Sequence, residues 1–175
     1  MRERYVVDTN VLIAASAADP LTQKDWDATP KEVVYQRQVH EWLTSFEASS
    51  ASWVLDGQGQ IEAEYRRRLS HPDYALLVLQ YKWDTQAVHY VAVEYDSDGH
   101  GRLTEPLQSL VHDRADRKMV AAALAACQAH EPCAIAFAGD TDWHDWEDGL
   151  QEAGLCLEPI IPEWSGPKHR AKSRR

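Results

Sequence analysis

The fold is decided by the stretch Tyr5-Val-Val-Asp-Thr-Asn10. Three apolar residues followed at once by Asp and Asn predict a short buried strand that ends at a polar edge. A helix is expected to follow over residues 11–18, with Thr9 or Asn10 as its cap. A buried strand that passes directly into a helix indicates the first unit of an α/β fold.

The same alternation continues along the chain. Further helices are predicted over residues 30–48, 58–69, 74–83, 116–130 and 146–153, and further strands over 52–55, 134–137 and 155–161. Residues 87–95 and the turn at 96–101 predict a β-hairpin. The alternation favours a three-layer α/β/α sandwich with a central, mainly parallel sheet. We expect one domain over residues 1–162 and a basic, flexible tail over 163–175.

The composition indicates a folded domain in a reducing compartment. The 175 residues suffice for one domain with a sizeable core. No apolar run approaches the ~20 residues of a membrane span, and the N-terminus leads into a strand without a signal peptide. Cys127, Cys133 and Cys156 are spaced too widely and irregularly for a disulfide framework or a zinc site. We therefore expect a cytoplasmic protein with no membrane partner.

The charge is unusual for a protein that binds nucleic acid. The net charge is −10, and residues 168–175 hold five of the 18 Lys and Arg residues and no acid, which leaves 13 basic against 28 acidic residues elsewhere. Proteins that grip phosphate directly are normally basic. An excess of carboxylates suits a site that holds a divalent metal, which in turn holds phosphate. Most of the acids are expected to be solvated surface residues.

Several polar residues follow predicted strands or precede a predicted helix. In parallel sheets, ligands bind beyond the carboxyl ends of the strands. The residues in such positions are Asp8, Asn10, Asp56, Asp113, Asp116, Asp140 and Asp142. Helix caps and Asx turns are the ordinary explanation for any one of them. Two such pairs, Asp8 with Asn10 and Asp140 with Asp142, lie at the ends of two predicted strands, and this recurrence favours a site instead.

Asp116 lies on the apolar side of its predicted helix. The apolar stripe on that side consists of Met119, Val120, Ala123, Leu124 and Cys127. An ionised carboxylate that faces a core is costly unless it is paired, hydrogen-bonded or bound to metal. The alternative is a first-turn Asp that is stabilised by the helix dipole.

Glu62 and Glu64 are alternatives for a further acid. Glu62 lies roughly 60° from the centre of the apolar stripe of its helix, and Glu64 roughly 100° on the other side. Periodicity cannot choose between them and leans slightly toward Glu62. Either side chain is equally suited to pair with the arginines at 66–68.

Clustered carboxylates suit metal-assisted hydrolysis of a phosphodiester bond. Mg²⁺ and Mn²⁺ prefer hard oxygen ligands. One bound metal lowers the pKa of the attacking water, and a second stabilises the leaving oxygen. The sequence contains neither a G-x-S-x-G nucleophile motif nor a P-loop.

Four motifs resemble those of the PIN-domain family, in the family's order and over nearly the whole chain. They are Tyr5-Val-Val-Asp-Thr-Asn-Val-Leu-Ile13, Ile61-Glu-Ala-Glu-Tyr65, His112-Asp-Arg-Ala-Asp116 with the helix behind it, and Phe137-Ala-Gly-Asp-Thr-Asp-Trp143. The resemblance implies catalytic roles for Asp8, Glu64, Asp116 and Asp140, metal binding by these four and Asp142, and substrate contacts by Asn10 and Trp143. It selects Glu64 over Glu62. The departures are Gly139, where a polar residue is commoner, and an insertion at 87–104.

The resemblance also implies an activity and partners. PIN domains of this kind cut RNA with Mg²⁺ or Mn²⁺. A small stand-alone domain is similar to toxins of the VapC-like kind, which are commonly dimeric and are silenced by an antitoxin protein. One alternative is an inactive PIN-like scaffold that binds RNA or a protein partner. Another is a phosphatase of the dehalogenase type, but that class needs an acid where Asn10 stands.

Overall fold

The structure is a computed structural model that describes residues 1–22, 24–128 and 132–172. Its strands are β1 (Arg4–Val7), β2 (Ser52–Asp56), β3 (Val88–Val91), β4 (Ala134–Phe137) and β5 (Cys156–Pro159). They form one sheet in the order β3-β2-β1-β4-β5, and every strand pair is parallel. The predicted α/β fold with a central parallel sheet is confirmed.

Helices cover the sheet on both faces. They are α1 (Thr9–Ala17), α2 (Val33–Ala48), α3 (Gln60–Arg68), α4 (Tyr74–Asp84), α5 (Leu107–Leu110), α6 (Arg117–Gln128), α7 (Asp142–Asp145), α8 (Glu147–Glu152) and α9 (Pro162–Lys172). Helices α1, α2 and α4 pack on one another, whereas α6 packs across β1, β2, β3 and β4. Right-handed connections place α6 on the face opposite the first group, because the chain reverses its direction across the sheet after β3. The result is the expected three-layer sandwich.

The reversal of strand order creates a crevice between β1 and β4. The chain leaves β1 toward β2 on one side, and leaves β4 toward β5 on the other. The helices that follow these two neighbouring strands therefore diverge, and a crevice opens at the carboxyl edge between them. Asp8 directly follows β1, and Asp140 lies three residues beyond β4.

Aromatic side chains fill the layer between α2 and the sheet. Tyr5, Phe46 and Trp53 are fully buried and meet edge to face at 5.5–5.6 Å between ring centroids. The Tyr5 hydroxyl donates to Glu158 Oε2 at 2.7 Å, and Trp42 Nε1 donates to Glu158 Oε1 at 3.1 Å. Edge-to-face pairs add about 0.5–1.5 kcal/mol each beyond burial, so this cluster fixes α2 firmly against β1 and β5.

The prediction of a β-hairpin at 87–101 is wrong. Residues 88–91 instead form β3, which pairs in parallel with β2 at the edge of the sheet. Among the described residues, antiparallel pairing is confined to one isolated bridge between Tyr95 and Gly101, which closes the turn. The pattern of Val and Tyr identifies a strand but not its partner, because parallel and antiparallel edge strands have the same period.

The end of the chain also differs from the predictions. The helix expected over 146–153 is confirmed as α8, but a short helix that was not expected, α7, precedes it, and Trp146 between the two is buried against Trp143. Most of the segment expected to be a flexible tail belongs to α9, which begins just before it at Pro162, whose missing N–H costs nothing in the first turn of a helix. Trp164 Nε1 of α9 donates to Glu32 Oε2 at 3.2 Å. The predicted tail residues 173–175 and the predicted helix end at 129–130 lie outside the described residues.

Among the helices of the described ranges, none is both long enough and apolar enough to cross a membrane.

Candidate metal centre

The first acid of the site, Asp8, is held at the crevice by the sheet itself. Its backbone N–H donates to Ala136 O of β4 at 2.9 Å, and its carbonyl accepts from Val11 in the first turn of α1. Asp8 is therefore the last residue joined to the sheet and the residue from which α1 begins. Its side chain is only 3% exposed.

The Asp8 carboxyl has few hydrogen-bond partners for a buried group. Its Oδ2 atom has no hydrogen-bond partner among the described residues. Burial, together with the charges of Asp140 and Glu64, raises the pKa of Asp8 to about 8, although hydrogen bonds from Asn10 oppose the rise. A buried oxygen without a donor costs free energy of folding, so a ligand that supplies positive charge would be strongly favoured at this atom.

Asp116 reaches the same crevice from the start of α6. Its carbonyl accepts the N–H groups of Met119 and Val120, and the side chain is 9% exposed. Burial raises its pKa to about 9, and the charges of Asp8, Asp113, Asp140 and Glu64 contribute to the rise. The prediction that Asp116 faces inward is confirmed, and what it faces is other carboxylates.

Asp140 is placed by a tight loop after β4. A Cβ atom at Gly139 would lie 2.1 Å from the carbonyl oxygen of Thr29, so only glycine allows the loop to pass this close. The departure from the PIN-like motif at this position therefore has a local steric reason. Burial raises the pKa of Asp140, the Asp142 N–H at 2.9 Å lowers it, and the charges of Asp142 and Asp113 raise it again.

Helix α3 places Glu64, not Glu62, beside these acids. The Tyr65 hydroxyl donates to Val7 O at 2.5 Å, which ties α3 to the end of β1. The neighbouring Glu64 then accepts a hydrogen bond from Thr9 Oγ1. Glu62 lies on the other flank, where Arg66 Nε is 2.6 Å from its Oε1. Helical periodicity gives the angle of a side chain from the buried stripe, but it does not tell which flank of the helix meets the crevice. The slight preference of the periodicity for Glu62 is therefore wrong.

Lys118 is a member of this site that the sequence analysis missed. Its Nζ lies 2.5 Å from Glu64 Oε2 and donates to Ala115 O at 2.7 Å, and its side chain is almost fully buried. The ammonium group thus links α3 to the loop before Asp116 and offsets one of the clustered charges. The available signal was its place two residues after Asp116, directly before the apolar run at 119–127 of α6.

The remaining predicted residues have different positions. Asn10 is partly buried and hydrogen-bonds to Asp8. Asp142 lies at the rim, where Lys172 Nζ donates to it and His112 Nε2 is 3.8 Å away. The prediction that Trp143 contacts substrate is wrong, because its indole is fully buried against Phe137 and Trp146.

The chemistry of the donor set fits a hard divalent cation. Carboxylate oxygens are the preferred protein ligands of Mg²⁺ and Mn²⁺, and one such oxygen, Asp8 Oδ2, is buried and finds no partner in the described part of the chain. Across residues 1–22, 24–128 and 132–172, no three acids, histidines or cysteines already stand close enough together to hold a metal. Glu64 is engaged by Lys118, and Asp142 by Lys172. Metal binding here therefore requires carboxylates to turn toward a common centre.

Comparisons with models of known protein families, with curated proteins and with solved structures find no match to this chain. The geometry of the acid cluster and the four sequence motifs are therefore the grounds for assigning a function.

Proposed function

We propose that this chain is a metal-dependent endoribonuclease that hydrolyses RNA phosphodiester bonds with Mg²⁺ or Mn²⁺. The observation that carries the proposal is the burial of like-charged carboxyls at one crevice. Asp8 and Asp116 are nearly inaccessible, and their pKa values are raised to about 8 and about 9 by burial and by their neighbours. Such a cluster opposes folding, and a cation that binds it would offset the unfavourable free energy.

The roles of the side chains follow from their positions. Asp8, Asp116 and Asp140 would hold the cation, with Glu64 completing the set from α3 and Asp142 from the rim. A bound Mg²⁺ or Mn²⁺ would lower the pKa of an attacking water and stabilise the leaving oxygen. Asn10 would orient the Asp8 carboxylate through its hydrogen bonds. Lys118 would hold Glu64 in place and limit repulsion between Glu64 and the other acids.

The choice of RNA as substrate, and of partners, depends on the PIN-like motifs. The same resemblance supports a toxin role in which the chain acts as a homodimer and is silenced by an antitoxin protein. The crevice supports hydrolysis more than an inactive PIN-like scaffold that binds RNA or a protein partner, because a scaffold gains nothing from buried like charges. Asn10 disfavours a dehalogenase-type phosphatase, which needs an acid there.

Incubation of the protein with RNA and with a phosphate monoester, each with Mn²⁺ and with EDTA, tests the proposal. We expect cleavage of RNA that requires Mn²⁺ and no hydrolysis of the monoester. Metal-dependent hydrolysis of the monoester alone would indicate a phosphatase, and binding of RNA without cleavage would indicate a scaffold.

Two glutamates of α3 provide a matched pair for the same assay. Glu64→Gln should abolish cleavage, because this side chain lies beside the acid cluster. Glu62→Gln should leave cleavage largely intact, because Glu62 is occupied by Arg66 on the other flank of the helix. Equal losses in both variants would contradict the assigned role of Glu64.

A further inference from the structure

A groove of about 460 Å³ opens directly beside the acid cluster. It is lined by Glu64, Arg67 and Arg68 of α3 and by Ala115, the residue before Asp116. The Lys118 ammonium lies between two of these lining residues, since it contacts Glu64 and donates to Ala115 O. The groove therefore shares Glu64 with the acid cluster and extends along α3 to Arg67 and Arg68.

Two arginines project from the same side of α3 as Glu64. Arg67 and Arg68 follow Glu64 by three and four residues, so the three side chains are neighbours on the helix surface. Both arginines are exposed, and neither forms an ion pair within the described part of the chain. Arg66 differs, because it is paired with Glu62 and its guanidinium lies 5.8 Å from the centre of the Trp83 ring.

We propose that Arg67 and Arg68 bind the phosphates of single-stranded RNA next to the scissile bond. This inference rests on the proposed function and names how that site holds its substrate. A guanidinium group offers a fork of donors that matches phosphate oxygens, and neither fork is paired with an acid of the described residues. The acid cluster by itself repels RNA, so cations beside it are needed to hold the neighbouring phosphates.

The position of Arg67 and Arg68 in the last turn of α3 does not by itself account for two unpaired cations beside the groove. Basic residues in the last turn of a helix are favoured by the helix dipole. Arg66 occupies that turn as well and already has an acidic partner. The two unpaired arginines face the groove, where a phosphate is the missing counterion.

Binding of a mixed-sequence single-stranded RNA oligonucleotide, measured in EDTA over a salt series, tests the inference without cleavage. The logarithm of the association constant falls linearly with the logarithm of the salt concentration, and each phosphate contact that is lost reduces the steepness of this line by about 0.7 for single strands. The Arg67→Gln/Arg68→Gln variant should therefore reduce the steepness by about 1.4. Between roughly 50 and 200 mM salt, the affinity of the wild type should then fall about sevenfold more than that of the variant.

A second double variant removes the same two charges elsewhere. Arg66→Gln/Lys31→Gln changes residues that are already paired, with Glu62 and with Asp27. This variant should keep the slope of the wild type. Equal slopes in all three proteins, equal decreases in both variants, or no binding by the wild type at low salt would overturn the inference.

The outcome separates this inference from the proposed function. Cleavage of RNA in Mn²⁺ together with an unchanged slope in the Arg67→Gln/Arg68→Gln variant would retain the nuclease and exclude the arginine subsite. A lowered slope without cleavage would retain the subsite as an RNA-binding groove and exclude the nuclease.

Discussion

Asp8 and Asp56 occupy equivalent positions in the sheet and have opposite environments. Each lies at the carboxyl end of a parallel strand, each precedes a helix, and each is almost fully buried. The Asp56 carboxylate accepts the backbone N–H groups of Gln60 and Ile61 at 2.9 and 2.8 Å. Asp8 faces other acids, and its Oδ2 has no hydrogen-bond partner within the ranges that the structure describes.

Under the proposed function, this difference separates a structural acid from a metal-binding one in this fold. Asp56 closes the start of α3 and satisfies donors that the helix leaves open. Asp8 accepts few hydrogen bonds and is surrounded by charges of its own sign. A strand followed by Asp is therefore not in itself a site. The site arises where the strand order reverses and several such acids meet.

The largest expected difference between the two residues is in catalysis. Asp8→Asn should lower kcat/KM for RNA cleavage by more than about a hundredfold, since even partners outside the ligand shell typically contribute 10–100-fold. Asp56→Asn should leave cleavage per folded molecule within a few-fold of the wild type. Comparable losses in the two variants would contradict the division into a structural and a functional acid.

For the free energy of unfolding, substitution of Asp56 should have the more damaging effect and substitution of Asp8 the less damaging one. Asp56→Ala removes a cap and leaves two backbone donors of α3 without an acceptor, which should cost about 2–3 kcal/mol of unfolding free energy. Asp8→Asn should stabilise the metal-free protein, because it removes a buried like charge. Urea unfolding in EDTA measures both changes. A larger loss of stability from Asp8→Asn than from Asp56→Ala would reverse the comparison.

The cluster should also make the metal-free protein less stable as pH rises. The pKa values of Asp8 and Asp116 are raised from 3.8 to about 8 and about 9 in the folded chain. Above the unfolded value the folded state keeps protons that the unfolded state has lost, so the free energy of unfolding falls with rising pH until the folded groups titrate. The slope is up to about 1.4 kcal/mol per pH unit for each retained proton.

Unfolding in EDTA between about pH 5 and pH 9 measures this slope, and Asp8→Asn should flatten it. Mn²⁺ should also weaken the dependence, because metal binding favours ionised carboxylates. A metal-free stability that is constant over this range would mean that the carboxyls are not coupled as the structure places them.

The sequence predicted the sheet better than the site. The runs before Asp8, Asp56 and Asp140 are short and apolar, so the strands and their common polar edge follow from local pattern. The choice of Glu64 and the ion pair of Lys118 depend on how α3 packs against β1 and α6, which no local period encodes. The buried position of Trp143 likewise depends on the packing of α7 and α8.

The helix at the end of the chain was missed for a related reason. A basic composition favours an unstructured segment, yet α9 starts at Pro162 and is held by contacts to residues distant in sequence. One of these contacts joins Lys172 to Asp142 at the rim of the site. Tertiary contacts of this kind outweigh local propensity.

The most direct test of the metal centre is the melting temperature with EDTA and with Mn²⁺, for the wild type and for Asp116→Asn. A cation that binds the folded cluster and hardly binds the unfolded chain stabilises by about 2.7 kcal/mol at a hundredfold excess over Kd. The wild type should therefore melt about 5–10 °C higher in Mn²⁺. Asp116→Asn should melt above the wild type in EDTA, lose most of the Mn²⁺ shift and fail to cut RNA. A wild type without any shift at millimolar Mn²⁺, or an Asp116→Asn variant that still cleaves RNA, would contradict the metal centre.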